Sequence, residues 1–124
     1  MSVLGELQPN KVFKYFEEIC SIPHGSRNLQ QISDYLVDFA KAHELKYRQD
    51  EDLNVIIWKD GSKGYEASEP VILQGHMDMV AVKEADCDKD MEKEGLDLEI
   101  NGDYISAKGT SLGGDAVSYT HLTL

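Results

Sequence analysis

His76 and Asp78 stand two residues apart, directly after Gly75 and the apolar run Val71-Ile72-Leu73. In extended backbone, residues two apart point to the same side, so Asp78 is placed to approach the imidazole of His76. A carboxylate on one ring nitrogen fixes the tautomer and leaves the other nitrogen for a metal ion. A solvated turn at a strand end would carry the same pair, and His-x-Asp is short enough to arise by chance. The second stretch with chemistry in it is Gly109-Thr110-Ser111-Leu112-Gly113-Gly114-Asp115. Glycine-rich backbone ending on a carboxylate lets the chain come close to something, a metal included; a loop is the plainer reading.

The elements that must position these residues follow from periodicity. The run at 71–75 is expected to be a buried strand, and its C-terminal end is where ligands bind in open α/β sheets. Residues 9–21 are expected to form a helix. Pro9 suits its first turn, Val12, Phe13, Phe16, Ile19 and Cys20 recur at helical spacing, and Ile22-Pro23 ends it. A second helix is expected over about 28–43, with Ile32, Tyr35, Leu36, Phe39 and Ala40 as its apolar stripe and Ser26 or Asn28 as cap. His24, between the helices, reads as a surface loop histidine, and His43 as a last-turn residue favoured by the helix dipole. Strands are expected at 45–48 and 54–59, a hairpin turn or exposed loop at 60–64, and a hairpin over 96–107 turning at Asn101-Gly102. Helices with apolar strands imply an α/β layer structure.

Composition narrows the function classes. The chain has 124 residues, 41% hydrophobic, with 12 basic and 23 acidic side chains giving a net charge of −11. That argues against nucleic acid or an anionic membrane surface as partner. Cys20 and Cys87 form no Cys-x-x-Cys pair, so neither a sulfur zinc site nor a disulfide framework is indicated. No apolar run approaches the roughly 20 residues of a membrane span, and no signal peptide is visible, so a cytoplasmic location is expected. Asp86, Asp88 and Asp90 alternate as in a calcium loop, but Met91 stands where glycine is needed and Asp97 where glutamate is. A solvated acidic loop fits better.

Taken together, Phe16-Glu17-Glu18-Ile19-Cys20-Ser21-Ile22-Pro23, Leu73-Gln74-Gly75-His76-Met77-Asp78-Met79-Val80 and the run Gly109 to Asp115 resemble the co-catalytic zinc peptidases. That family includes aminoacylases, glutamate carboxypeptidases and tripeptide aminopeptidases, and the likeness is to its aminoacyl-histidine dipeptidase branch. The resemblance implies the N-terminal part of an α/β catalytic domain, a mixed sheet flanked by helices, over residues 1–115. It implies that His76 is a ligand of one zinc, that Asp78 is the catalytic-site carboxylate orienting His76, and that Asp115 bridges two zinc ions. Two metals about 3.5–4 Å apart polarise a scissile carbonyl and share a hydroxide, and imidazole and carboxylate are zinc donors. The implied reaction is hydrolysis of a small peptide with a free amino end, and the implied full-length assembly is a homodimer.

Residues 116–124 do not resemble the family, and His121 among them is not counted as a ligand. They read as adapter read-through, so the chain is expected to be truncated near Asp115. A two-zinc site takes about seven or eight protein contacts, of which about three are in this chain. The fragment alone is therefore expected to be inactive. A related aminoacylase or tripeptidase remains open, as does a short non-catalytic module with an acidic binding surface.

Overall fold

The computed structural model describes residues 2–113. In chain order the elements are α1 (Asn10–Cys20), α2 (Gln30–Ala42), β1 (Lys46–Gln49), β2 (Val55–Trp58), β3 (Leu98–Asn101) and β4 (Tyr104–Ala107). They fall into two compact units among the described residues, one of 2–32 with 78–113, the other of 33–77. The helices, the strands β1 and β2 and the hairpin β3–β4 lie within one or two residues of the expected positions.

In the discontinuous unit, Leu4, Cys20 and Leu98 are buried, with Phe13, Phe16, Leu96, Ile105, Ala107 and Leu112 packed against them. Pro9, extended at φ −71° and ψ 121°, stands at the N-cap of α1. The helix then places Phe13, Phe16 and Cys20 on one face. It ends as Ser21 donates its N–H to Glu17 and Glu18 and Ile22 donates to Ile19, after which Pro23 cannot continue it. Leu96 donates its N–H to the Cys20 carbonyl at 2.8 Å, tying the β3–β4 hairpin to the helix end. The hairpin pairs Leu98 with Ala107 and Asn101 with Tyr104, and Gly102 takes the positive φ of 63° that the turn requires. Burial, followed by the nearby Glu17 carboxylate, pushes the Cys20 thiol up to about 11, which leaves it a packing residue.

Leu4 is fully buried, worth about 1.5–3 kcal/mol against exposure. It is held there by Glu17, whose carboxylate accepts the Ser2 hydroxyl at 2.6 Å, the Val3 N–H at 2.5 Å and the Leu4 N–H at 3.4 Å. The bond from Ser2 foremost, with those from the backbone, outweighs desolvation and holds the Glu17 carboxyl below the usual range. A pKa lowered on folding stabilises above the unfolded value, about 4.3, and is lost as pH falls through the folded value. The chain should therefore keep Val3 and Leu4 in their docked NMR positions at about pH 6 and lose them below about pH 4. Glu17→Gln should release them at all pH values at a cost of about 1 kcal/mol, reduced by the carboxylate's partial exposure. Amide shifts of Val3 and Leu4 that stay unchanged to about pH 3 would contradict this.

In the second unit, β1 and β2 form an antiparallel hairpin pairing Lys46 with Trp58 and Gln49 with Val55. Its loop is closed by Asp50, whose carboxylate accepts the N–H groups of Asp52 and Asn54 and the Asn54 amide. The Asn54 side-chain bond, then its backbone bond, holds Asp50 below the usual carboxylate range. Fully buried Ser33 on α2 donates to the Leu53 carbonyl at 2.7 Å and accepts from Gln49 at 2.7 Å, joining helix to hairpin. The C-terminus of α2 closes with Glu44 N–H on Lys41 and Leu45 N–H on Ala40, and Glu44 takes φ 55°. His43 Nδ1–H donates to the Phe39 carbonyl at 2.8 Å and its ring stacks on Phe39, in keeping with a helix-end role.

The expected strand at 71–75 is a correction. Val71, Ile72 and Leu73 are 83%, 87% and 78% exposed, and no described strand pairs with them. A strand exists by its ladder and its covered face; the apolar run has the composition but, among the described residues, neither neighbour.

Candidate functional site

Three segments of the discontinuous unit meet at Met79, the residue after Asp78. Met79 donates its N–H to the His24 carbonyl at 3.0 Å, and its own carbonyl accepts the Ser26 N–H at 3.1 Å. This is a parallel bridge between Gly25 and Met79. The approach depends on glycine, because a Cβ at position 25 would stand 2.7 Å from that of Ala81.

The third segment is the glycine-rich run. Glu84 N–H donates to Gly109 at 2.8 Å, Lys83 and Thr110 form an antiparallel bridge, and Ser111 N–H donates to Val82 at 3.0 Å. The Ser111 hydroxyl adds a 2.6 Å bond to the Val80 carbonyl. Residues 109–113 thus run back along 80–84 until Gly113 reaches Met79. A Cβ at 113 would lie 2.9 Å from the Met79 Cβ, and Gly113 has φ 67°, so glycine is required there twice over. The backbone leading to Asp115 is thereby brought alongside the residue that follows Asp78.

Asp78 is half-buried and accepts the Ser26 hydroxyl on Oδ2 at 2.6 Å. His76 is exposed, in the stretch without helix or strand that ends the second unit. Asp115 lies outside the described residues, as does His121. Among the described residues no three His, Cys, Asp or Glu side chains cluster as ligands of one metal. An exposed imidazole is a donor type that zinc takes, and a carboxylate held by a hydroxyl is of the kind that orients such an imidazole.

His24 corrects the expectation of a surface histidine. It is 8% exposed and its Nδ1–H donates to the Ile22 carbonyl at 2.6 Å, so it serves the loop that receives Met79. Ser26 is the residue that sequence reasoning misplaced. It reads as a helix cap, but α2 begins at Gln30 and the hydroxyl goes to a carboxylate 52 positions away. The acidic stretch has its own structural uses. Asp90 accepts the Glu92 N–H and pairs with Lys93 at 3.2 Å, the first of these chiefly holding its carboxyl below the usual range. Lys89, 9% exposed, pairs with Asp97 at 3.0 Å and donates to Gly95. Beside Ser26 opens a cleft of about 660 Å³ whose walls carry Arg27, Lys83, Asp88 and Glu92.

No protein-family model matches the chain. It is 38% identical over 115 residues to the cytosol non-specific dipeptidase of Escherichia coli (strain K12), a match covering 93% of this chain and 24% of the relative. Its structure superposes on the crystal structure of aminoacylhistidine dipeptidase from Vibrio alginolyticus with a TM-score of 0.86 at 35% identity, over 94% of this chain and 24% of that one. The chain resembles the N-terminal part of an aminoacyl-histidine dipeptidase. It spans about a quarter of the length of these dipeptidases. The α/β piece described above, with its helices and small antiparallel sheets, is that part of the dipeptidase fold. No helix among the described residues is long and apolar enough to cross a membrane.

Proposed function

We propose that residues 1–115 are the N-terminal part of the catalytic domain of a zinc-dependent dipeptidase acting in the cytoplasm on short peptides of the aminoacyl-histidine type. The observation that carries this reading is the convergence on Met79. It sets Asp78 beside the run that leads to Asp115, in a chain that matches two dipeptidases over more than nine-tenths of its length.

In this reading His76 and Asp115 would hold zinc, and Asp78 would orient the His76 imidazole. When bound, the metal pair supplies a polarised scissile carbonyl and an activated water. The residues of this chain hold and orient. Asp78 keeps the proton of His76 on the nitrogen facing it, so that the other nitrogen presents a lone pair. Ser26 keeps Asp78 in place. Arg27 and Lys83 with Asp88 and Glu92 give the adjoining cleft charges of both signs, which suits a peptide short enough to be a zwitterion. Neither nucleic acid nor a membrane is a partner in this reading, and the complete protein is a homodimer.

The test is made on the complete gene product with β-alanyl-histidine or an aminoacyl-histidine as substrate. Hydrolysis should be lost on chelation and restored by zinc, and the 124-residue chain alone should show no turnover. Turnover that survives exhaustive chelation would overturn the zinc reading.

A further inference from the structure

We propose that the cleft beside Ser26 binds a small zwitterion, Arg27 taking its free carboxylate and Asp88 and Glu92 its free ammonium. The inference rests on the cleft's reading as suited to a short peptide for the source of the ligand, not for the chemistry. The cleft lies wholly within the discontinuous unit, between segments 25–28, 81–83 and 88–92. Its volume of about 660 Å³ is in the range of small-molecule sites.

The charges that line it divide into those the fold uses and those left over. Lys83 donates from Nζ to the Lys89 carbonyl at 2.8 Å, and Lys89 is itself paired with Asp97. Asp90 is paired with Lys93 and accepts the Glu92 N–H at 3.1 Å. Arg27, Asp88 and Glu92 are exposed, and among the described residues their side chains have no ion-pair or hydrogen-bond partner. One guanidinium and two carboxylates are thus left for a ligand. The backbone that carries them is braced without them. Asn28 Nδ2 donates to the Glu92 carbonyl at 2.9 Å, tying the two sides together, and the Asp90 N–H donates to Glu94 at 2.8 Å. Binding then orders side chains only, which limits its entropic cost.

Arg27 carries a second mark. It sits in the turn that the Asn28 N–H closes on the Gly25 carbonyl at 2.8 Å, and it has φ 73°. Glycine suits that conformation, and a long side chain is held there at a cost. A guanidinium meets a carboxylate through two parallel N–H···O bonds. A simple anion would gain that fork but meet the repulsion of Asp88 and Glu92, so both charged ends of the ligand are needed.

The experiment titrates the chain of residues 1–124, freed of metal by chelation and dialysis, so that neither turnover nor zinc enters. The probes are glycyl-histidine, its N-acetyl form, its C-terminal amide, and free histidine. Amide shifts of residues 25–28 and 81–92 read the binding. Glycyl-histidine should bind with a Kd on the order of 1 mM. Each blocked form should bind about tenfold or more weakly, the scale of one charge-assisted pair. Arg27→Gly, which relieves the positive φ, should keep the fold and weaken glycyl-histidine about tenfold. It should erase the advantage over the amide and keep the advantage over the acetyl form. Asp88→Asn combined with Glu92→Gln should do the reverse.

The proposal is overturned if either blocked form binds as well as glycyl-histidine, or if none of the probes gives a saturable shift. It is overturned equally if Arg27→Gly leaves every affinity within about twofold of the parent. Should that variant lose its amide dispersion, Arg27→Gln makes the same comparison. Glycyl-histidine binding at least as tightly as histidine assigns the site to a peptide. Histidine binding more tightly keeps the zwitterion site and takes the cleft away from the peptide, so that the earlier reading of the cleft falls alone.

Discussion

His76→Ala is expected to lower kcat/KM for an aminoacyl-histidine dipeptide about a thousandfold or more in the complete enzyme. Metal polarisation of the scissile carbonyl is worth several kcal/mol of barrier, and about 4 kcal/mol corresponds to a factor of about a thousand. The loss should appear mainly in kcat and be accompanied by a fall in bound zinc measured by elemental analysis. Stability should hardly change, because the His76 side chain is exposed in a stretch that belongs to no helix or strand. Substitutions at such positions usually stay within about 0.5 kcal/mol. A variant that keeps its zinc and loses less than tenfold would remove His76 from the metal centre.

Gly25→Ala is expected to destabilise the fold by about 1–3 kcal/mol, the cost of overpacking a close contact. The added methyl would meet the Ala81 Cβ at 2.7 Å, well inside the ~3.5–4.0 Å at which carbon atoms rest. Neither partner is a flexible side chain, so either 24–26 or 79–81 must move. The Gly25–Met79 bridge then opens and the Ser26 to Asp78 bond lengthens with it. Urea midpoints read the stability, and the Ser26 and Met79 amide shifts read the displacement. Ala81→Gly in the same chain should recover most of the loss, a coupling expected of residues in direct contact. A single variant destabilised by less than about 0.5 kcal/mol would show that the approach is looser than the distance implies.

Local pattern was enough for α1, α2, the positions of β1 and β2 and the β3–β4 hairpin, because each is decided by neighbours in the chain. Examples are the spacing of Phe13, Phe16 and Cys20, the Ile22-Pro23 stop and the Asn101-Gly102 turn. The choice of His76 and Asp78 rests on a signal of the same local kind, their spacing. The apolar run Val71 to Leu73 failed because a strand is a relation between segments, and composition names only one of them. Ser26 and His24 failed for a related reason. Their partners, Asp78 and Met79, lie more than fifty residues on, and nothing near either residue announces a partner at that distance. The glycines at 109 and 113 were rightly read as allowing close approach, but only the structure says that Gly113 approaches Met79.

The discontinuity of the first unit sets an order of events during synthesis. Leu4 and the inner face of α1 cannot be covered until Leu98 has left the ribosome, 66 residues after Ile32, where the N-terminal portion of that unit ends. At about 5–20 residues per second that is a wait of roughly 3–13 s. The stretch 33–77, whose helix and hairpin are contiguous, is complete well before then. In the interval Phe13, Phe16 and Cys20 form an apolar helical face without its cover, the kind of surface that a nascent-chain chaperone shields.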